Sequence, residues 1–346
     1  MVGAWCQSGR KLHPNRRVSR RRSEITHRHP ARIEPTTCAV DAIEPLVQPL
    51  VEAVADAAAQ FLHDTGVAQV HKLRVAVRRL RGALEAFDRL LPPQELRVVQ
   101  HRLRRLQHRL GTVRDWDVFA KGALWSTPLP LMSADRVKFA ERCERQRQTA
   151  ATRAVRAVAR RRFRKTLTRI ERLICAARKA TGSPDPSTRL LATQLPFEQF
   201  ADDILRRDWQ AFEDQRALCS TGNLDRLHAL RLRGKQLRDR IELFGRRNPL
   251  ASSRRLLQSL QKLQEVLGER NDAAQAQRLF DRLQGDEAKP LQIDPPAASD
   301  VRRERARSTR ALLAVRRAAS AMGLSTKAAR RNRLQTRRPH ARIHTS

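Results

Sequence analysis

One helical pattern occurs twice in the sequence, at a spacing of 157 residues. The stretch 71–115 aligns without a gap on the stretch 228–272, and 16 of the 45 aligned positions are identical. Arg and Leu are common in this chain, but the identical residues also include His, Glu, Phe, Pro, Gln, Gly and Asp. An internal repeat of this kind predicts two related structural units that pack together. Helical periodicity in both copies predicts an all-α fold.

The stretch Val70–Phe87 has two faces when it is read as a helix at about 100° per residue. One face is apolar and suits a bundle core, and its residues are Leu73, Val77, Leu80, Leu84 and Phe87. The other face carries the first cationic stripe and one acid: His71, Arg74, Arg78, Arg81 and Glu85. The repeat supplies the second cationic stripe and its acid: His228, Arg231, Lys235, Arg238 and Glu242.

The stripes have two interpretations. In one, each is a solvated helix face on which Glu85 forms an ion pair with Arg81 four residues earlier. In the other, two bundles related by a pseudo-twofold axis bring both stripes to one shared groove. Rows of cations along a groove repel one another, so an anion that neutralises them explains the arrangement better. Their recurrence in the second copy favours this interpretation.

The charge balance points to a polyanionic partner. The net charge is +36, and the terminal segments 1–39 and 323–346 carry +7 each, which leaves +22 on the central 283 residues. Most of the cations are Arg, whose planar guanidinium donates paired hydrogen bonds to phosphate. Nucleic acid, an anionic membrane surface and inorganic phosphate chains are the classes of partner that fit.

Composition weighs against several other classes. The chain has ten Phe, four Trp and no Tyr, which is few aromatic platforms for stacking single-stranded bases. Five Cys without metal-ligand or CxxC spacing favour a reducing compartment. No apolar run approaches the ~20 residues of a membrane span, and the N-terminus has no apolar signal region. Walker loops, nucleophile elbows and HExxH motifs are not found in the sequence.

Breakers and charge runs divide the chain into segments. We expect a disordered basic arm over 1–39, a folded domain over 40–322 and a disordered basic tail over 323–346. Within the domain, the first repeat covers about 40–180, a linker covers 181–186 and the second repeat covers about 187–322. The predicted helices are 41–63, 70–90, 95–110, a short one from 112, a long helical stretch, straight or bent, over 133–180, and 197–218, 224–244, 252–267, 271–283 and 300–322. Gly111 is expected to end the third helix as a C-cap.

Further polar residues outside the stripes are candidates for the site. On the third helix, Arg97, His101 and Arg104 share one face and extend the cationic surface. Asp115 and its repeat Asp272 either oppose a helix dipole and pair with stripe arginines, or form a carboxylate site for a metal. The structural role is favoured, because Asp117 has Ala274 as its counterpart. Neither His71 nor His228 has a second ligand at metal spacing.

The repeated motif resembles that of a known family. The first copy reads His71-x-x-Arg74-x-x-x-Arg78-Arg79-Leu80-Arg81, then Leu110-Gly111-x-x-Arg114-Asp115-x-Asp117-Val118. The second copy reads His228-x-x-Arg231-x-x-x-Lys235-x-Leu237-Arg238, then Leu267-Gly268-x-x-Asn271-Asp272. Over residues 40–322 the chain resembles the CHAD family, α-helical domains named for conserved histidines. It departs from the family at Asp239, where an aromatic residue is common.

The resemblance implies two helical bundles with pseudo-twofold symmetry around a basic groove or pore. It also implies binding of inorganic polyphosphate and a cytoplasmic location on polyphosphate granules. The Glu-x-Glu-x-Lys pattern of the triphosphate-tunnel enzymes that some relatives carry is absent, so we expect a stand-alone binding module. No catalytic residue, cofactor or metal is expected. Sequence-independent binding of nucleic-acid phosphates is the main alternative, and metal-dependent phosphate hydrolysis is a weaker one.

Overall fold

The computed structural model of the protein describes residues 37–121, 133–180, 195–221, 224–245, 251–284 and 298–324. These residues are almost entirely α-helical, which confirms the predicted all-α class. The helices are α1 Ile43–His63, α2 Val67–Ala86, α3 Pro93–Lys121, α4 Ser133–Ala159, α5 Arg161–Ala180, α6 Phe197–Ala217, α7 Leu224–Gly245, α8 Ala251–Gln284 and α9 Ala298–Ala321. None of these helices combines the length and apolar character needed to cross a membrane.

Each half of the chain packs its helices mainly in sequence order. In the first half α1 packs on α2, α2 on α3 and α3 on α4, while α5 lies against α1, α3 and α4. In the second half α6 packs on α7, α7 on α8 and α8 on α9. The halves meet where α2 contacts α7 and where α8 contacts both α3 and α4. The helices that carry the two cationic stripes are therefore neighbours.

The apolar faces predicted for the repeated helix form the core between the halves. All five predicted positions, four in α2 and Phe87 directly after it, are fully buried, and so are Leu230 and Leu237 at matching positions of α7. Phe87 and its repeat Phe244 contact each other edge to face, with ring centroids 6.2 Å apart. Phe200 of α6 stacks on Phe87 at 5.4 Å. Burial of such side chains stabilises the fold by about 1.5–3 kcal/mol each, so this core also fixes how α2 faces α7.

Gly111 does not end the third helix, and the predicted break there is wrong. α3 runs without interruption from Pro93 to Lys121 because Val113, Trp116 and Phe119 beyond the glycine are buried and continue its apolar face. The same correction holds for the second copy, where α8 continues through Gly268 to Gln284. A glycine inside a helix costs only about 1 kcal/mol. Burial of the following turns exceeds that cost.

The long helical stretch predicted over 133–180, straight or bent, is divided into the two helices α4 and α5. It breaks at Arg160, whose carbonyl oxygen accepts a hydrogen bond of 2.9 Å from the backbone N–H of Phe163. The break lets α5 lie against α1 and α3. Ile170, Leu173 and Ile174 of α5 are buried there. Packing of this second apolar face explains why one continuous helix is not formed.

The start of the described chain is tied to the start of the second half. Ala39 is fully buried, and its N–H donates to the carbonyl of Leu195 at 3.1 Å. The N–H of Phe197 donates to the carbonyl of Thr37 at 2.8 Å. The predicted end of the basic arm at residue 39 therefore falls inside a packed segment. Residues 1–36, the predicted linker 181–186 and residues 325–346 lie outside the described residues.

Candidate functional site

Ion pairs between α2 and α7 fix the two cationic stripes side by side. Arg78 donates two hydrogen bonds to the carboxylate of Asp239, from Nε to Oδ2 at 2.8 Å and from Nη2 to Oδ1 at 3.0 Å. This pair is largely buried, with side-chain exposures of 19% and 9%. Arg79 donates to Glu242 at 2.5 Å. Paired, partly desolvated contacts of this kind set the register of one stripe against the other.

Where the stripes meet, cations from both helices form the central cluster, defined here as Arg74, Arg78, Arg231 and Lys235. Burial lowers the pKa of Arg74, and repulsion from Arg78 and Arg231 lowers it further, against the opposing attraction of Asp115. Arg74 Nε is buried and has no hydrogen-bond partner among the described residues. Such a donor, held next to like charges, is suited to an anionic ligand.

Lys235 is the most perturbed group in the central cluster. Burial lowers its pKa to about 7, and Arg231, Arg74 and Arg78 contribute in the same direction. Asp239 raises the pKa of Lys235, but by less than burial and the arginines lower it. Within the described part of the chain, no hydrogen bond or ion pair satisfies the Lys235 amine. An anion placed here would restore the charge of this lysine.

His71 borders the central cluster on the first stripe. Its ring is partly open to solvent, yet partial burial lowers its pKa, followed by the repulsion of Arg114, Arg74, Arg78 and Lys235. The imidazole is therefore less protonated at neutral pH than an ordinary histidine. It can still donate a hydrogen bond to phosphate from either neutral tautomer. His228, its repeat, is exposed on α7.

The last arginines of the stripes make the same hydrogen bond in both halves. Arg81 Nη1 donates to Gln107 Oε1 at 2.5 Å. Arg238 Nη1 donates to Gln264 Oε1 at 3.0 Å. Gln107 and Gln264 are themselves 157 residues apart, so the duplication includes a tertiary contact as well as a helix face. These bonds hold each guanidinium beside the following helix.

A pocket of about 290 Å³ lies between the first stripe and α3. Its cations come from both helices: Arg74 and Arg81 from α2, and Arg104 with His108 from α3. Gly111 and Asp115 complete its wall, and a Cβ added at Gly111 would meet no atom within 4 Å. The glycine that fails to end the helix therefore leaves room beside the arginines. In the second copy, a Cβ on Gly268 would lie 3.5 Å from Arg231 Nη2.

The two repeated glutamates each pair with an arginine of the opposite half. Glu242 accepts from Arg79, and Glu85 lies 3.5 Å from Nη2 of Arg240. Arg240 is buried and also donates to Asp208 at 3.1 Å. Glu242 additionally lies 3.2 Å from Nε of Arg238 on its own helix. The glutamates thus connect the halves at the edge of the stripes.

A family model for the CHAD domain matches residues 46–281, which is more than half of the chain. The chain belongs to the CHAD family. This confirms the resemblance drawn from the doubled motif. The match includes both cationic stripes and the helices that pair with them.

Two solved structures share this CHAD fold. The crystal structure of the CHAD domain from the plant Ricinus communis matches with a TM-score of 0.61 and 22% identity, covering 89% of this chain and 96% of that one. PptA from Streptomyces chartreusis matches with a TM-score of 0.51 and 17% identity, covering 82% and 99%. At these identities the likeness concerns the fold alone. No curated protein matches the chain.

The remaining predicted residues of this CHAD domain take different positions. Arg104 lies beside Arg81 in the α2–α3 pocket, whereas His101 lines a separate cavity towards α5. Arg97 is exposed on α3. Asp115 interacts with Arg74 and accepts a hydrogen bond of 3.3 Å from Gln275. Asp272 lies in α8, and its side chain is outside the described residues.

Sequence reasoning missed two residues of the site. Asp239, noted only as a departure from the family pattern, is the carboxylate that holds Arg78. Arg114, quoted only as part of the motif, repels both His71 and Arg74. The position of Arg114 one turn from Gly111, facing the stripe, was the available signal. The signal for Asp239 was an acidic residue on a helix face that is otherwise cationic.

Asp117 has a structural environment. Its side chain is fully buried, and Arg147 of α4 donates to it at 2.8 Å. The same guanidinium donates to the carbonyl of Thr65 at 3.0 Å, which ties the loop before α2 to α4. Among the described residues, no group of three His, Cys, Asp or Glu side chains is arranged to hold a metal ion.

Proposed function

We propose that this CHAD protein binds inorganic polyphosphate, without catalysis, in a groove lined by the two cationic stripes. The observation that carries the proposal is the central cluster, in which cations from both repeats are held together against their mutual repulsion. The CHAD family is associated with polyphosphate. The proposed binding residues of this groove are His71, Arg74, Arg78, Arg81, Arg97, Arg104, His228, Arg231, Lys235 and Arg238, whereas His101 faces the cavity towards α5 and is not part of it.

The central cluster favours an extended anion with many charges. A single carboxylate or phosphate would neutralise one or two of its cations, whereas successive phosphates of a linear chain can pair with all of them. Guanidinium groups donate paired hydrogen bonds to such oxygens, and the release of counterions adds to the affinity. Arg78 remains neutralised by Asp239 and contributes less than Arg74, Arg231 and Lys235.

The proposal includes a pseudo-twofold relation between the halves. Two features support it: the contact of Phe87 with its repeat Phe244, and the matching hydrogen bonds of Arg81 to Gln107 and of Arg238 to Gln264. Under this relation each half supplies one wall of the groove. Asp115, Asp272, Glu85 and Glu242 then position the arginines and do not contact ligand. In the cell we expect a cytoplasmic protein bound to polyphosphate granules.

A competition titration of the full chain tests the proposal. Long-chain polyphosphate and duplex DNA compete at equal phosphate concentration over a salt series. Arg74→Gln combined with Arg231→Gln should weaken polyphosphate binding by about 100-fold, because two hydrogen-bonded charge contacts are lost. The matched control is Arg142→Gln with Arg145→Gln, two exposed cations of α4 that line none of the cavities described. It should change the affinity by less than about threefold.

Several outcomes would contradict the proposal. An equal loss in the stripe variant and in the control would mean that net charge alone controls binding. Equal competition by DNA, with the same salt dependence, would indicate a generic polycationic surface. Release of phosphate from polyphosphate that requires a divalent ion and Asp115 would refute the non-catalytic part.

A further inference from the structure

A groove of about 1050 Å³ lies between α3 and α5, outside the two cationic stripes. Its walls are basic, and the cations that line it are Arg102, Arg161, Arg164, Lys165, Arg169 and Arg172. Arg102 comes from α3 and the others from α5. None of these six cations belongs to the two cationic stripes or lines the pocket between α2 and α3.

Two smaller cavities continue this groove along α5. One, of about 300 Å³, shares Arg102 with it and adds Arg105, Arg109, Arg160 and Arg162. The other, also about 300 Å³, shares Arg172 and adds Lys179. From Arg161 to Lys179, α5 rises by about 27 Å at 1.5 Å per residue. The three cavities together form the α3–α5 groove.

The charges of the α3–α5 groove are almost unopposed. Its linings contain eleven Arg or Lys residues against two acids, Glu95 and Glu171. Within the described residues, only Arg169 among these cations forms an ion pair, donating from Nη2 to Glu95 at 2.8 Å. The exposed face of α4 is different, because Glu141 and Glu144 alternate there with arginines. Unopposed cations destabilise a fold unless an anion neutralises them.

We propose that the α3–α5 groove is a second polyphosphate site, which holds a linear stretch of the chain along α5. The inference rests on the proposed function and places a second site for the same ligand on the other side of α3. α3 contributes Arg104 to the pocket beside the first stripe and Arg102 to this groove. One long polyphosphate can therefore engage cations on two sides of the same helix.

Nucleic acid fits the α3–α5 groove less well. Phe163 is the one Phe, Tyr or Trp in its described lining, and this ring is half-buried against the core, so the groove offers few aromatic platforms for stacking bases. Packed helices are typically 8–10 Å apart. A groove between two of them admits a thin chain, whereas a duplex would contact only the rim. The ligand chemistry that remains is a flexible chain of phosphates.

Calorimetric titration of the full chain with a short polyphosphate oligomer of defined length tests this site. The groove variant is Arg164→Gln, Lys165→Gln and Arg172→Gln, three exposed residues of α5. The charge-matched control is Arg142→Gln, Arg145→Gln and Arg153→Gln, three exposed residues of α4. At an ionic strength near 0.15 M, the groove variant should bind one oligomer fewer per chain than the control. Its affinity for long polyphosphate should fall about tenfold or more.

The Arg74→Gln, Arg231→Gln variant separates the two proposals. Loss of one oligomer in this variant and of another in the groove variant supports both sites. If the groove variant and the control bind alike while the Arg74→Gln, Arg231→Gln variant loses one oligomer, the second site is refuted and the central one stands. If only the groove variant loses binding, the second site stands and the central one is refuted. If the groove variant loses duplex DNA but keeps the oligomer, the groove binds nucleic acid and the inference is wrong.

Discussion

Raising the pH from 6.5 to 8.5 should weaken polyphosphate binding through one side chain, Lys235. In the free protein its pKa is lowered to about 7 by burial and by neighbouring arginines of both stripes. The amine is therefore mostly charged at pH 6.5 and mostly neutral at pH 8.5. A phosphate bound beside it favours the charged form and raises the pKa towards its ordinary value. Binding above pH 7 must then include the uptake of a proton.

The size of the effect follows from this shift. If polyphosphate restores an ordinary lysine pKa near 10.4, the dissociation constant increases about 25-fold between pH 6.5 and 8.5, or about 2 kcal/mol. At pH 8 the complex should take up about 0.9 proton per chain on this account. The sign is fixed by the direction of the shift: a cation whose pKa is lowered in the free state loses affinity for an anion as pH rises.

Two variants of Lys235 bracket the native behaviour. Lys235→Arg stays charged throughout, so its affinity should be nearly constant with pH and should exceed the native affinity at pH 8.5. Lys235→Met is never charged, so its affinity should be constant at the weaker level. Calorimetry in two buffers of different ionisation enthalpy measures the proton uptake directly. Long chains are used because their internal phosphates stay ionised over this range.

His71 is the other titrating group beside the central cluster. Its pKa is lowered from 6.5, so most of its titration falls below the pH range used. Because a phosphate bound beside His71 raises its pKa as well, the pH series is repeated in the His71→Gln background, where the slope contributed by Lys235 between pH 7 and 8.5 should remain. If the affinity of Lys235→Arg falls with pH as steeply as that of the native protein, the pH dependence does not arise from Lys235. If the dissociation constant of the native protein does not change with pH, the Lys235 amine keeps its charge in the free protein.

Three further substitutions test the surrounding structure. Asp239→Asn should tighten polyphosphate binding about fivefold by releasing Arg78 from its ion pair, and should lower the free energy of unfolding in urea by about 1–2 kcal/mol. Arg240→Met should lower that free energy by about 3–5 kcal/mol because it leaves the buried carboxylate of Asp208 uncompensated; adding Asp208→Leu should recover much of the loss. Gly111→Ala should increase the free energy of unfolding by about 0.5–1 kcal/mol and so raise the melting temperature, because the added Cβ enters open space inside a helix. An unchanged or lower melting temperature would contradict this.

Most of what could be predicted from the sequence came from the internal duplication. Apolar positions spaced by the helical period identified the buried face of α2, and the shift of 157 residues transferred it to α7. The same shift indicated that the stripes belong together. Each of these inferences depends on local periodicity or on comparing the chain with itself, for which the sequence is sufficient.

Tertiary packing decided the features that local rules could not. Gly111 has the form of a C-cap, but Trp116 and Phe119 beyond it are buried, and this favours a continuous helix. The break at Arg160 has no Pro or Gly to mark it. The partner of Arg78 lies 161 residues away, so no short-range pattern could identify Asp239 as that partner. His101 was placed on the stripe side by its helical angle, and the structure places it towards α5.

Arg78 and Lys235 occupy equivalent positions of the two repeats, yet their charges are compensated differently. Both lie in the same cluster of cations: Arg74 repels Arg78, and both Arg74 and Arg231 repel Lys235. Arg78 is paired with the carboxylate of Asp239, 2.8 Å from its Nε. Lys235 has no such partner among the described residues, and it becomes neutral by losing a proton near pH 7. Arginine could not do this, because its guanidinium stays charged when buried. A lysine at this position therefore relieves repulsion in the free protein and regains its charge when an anion binds.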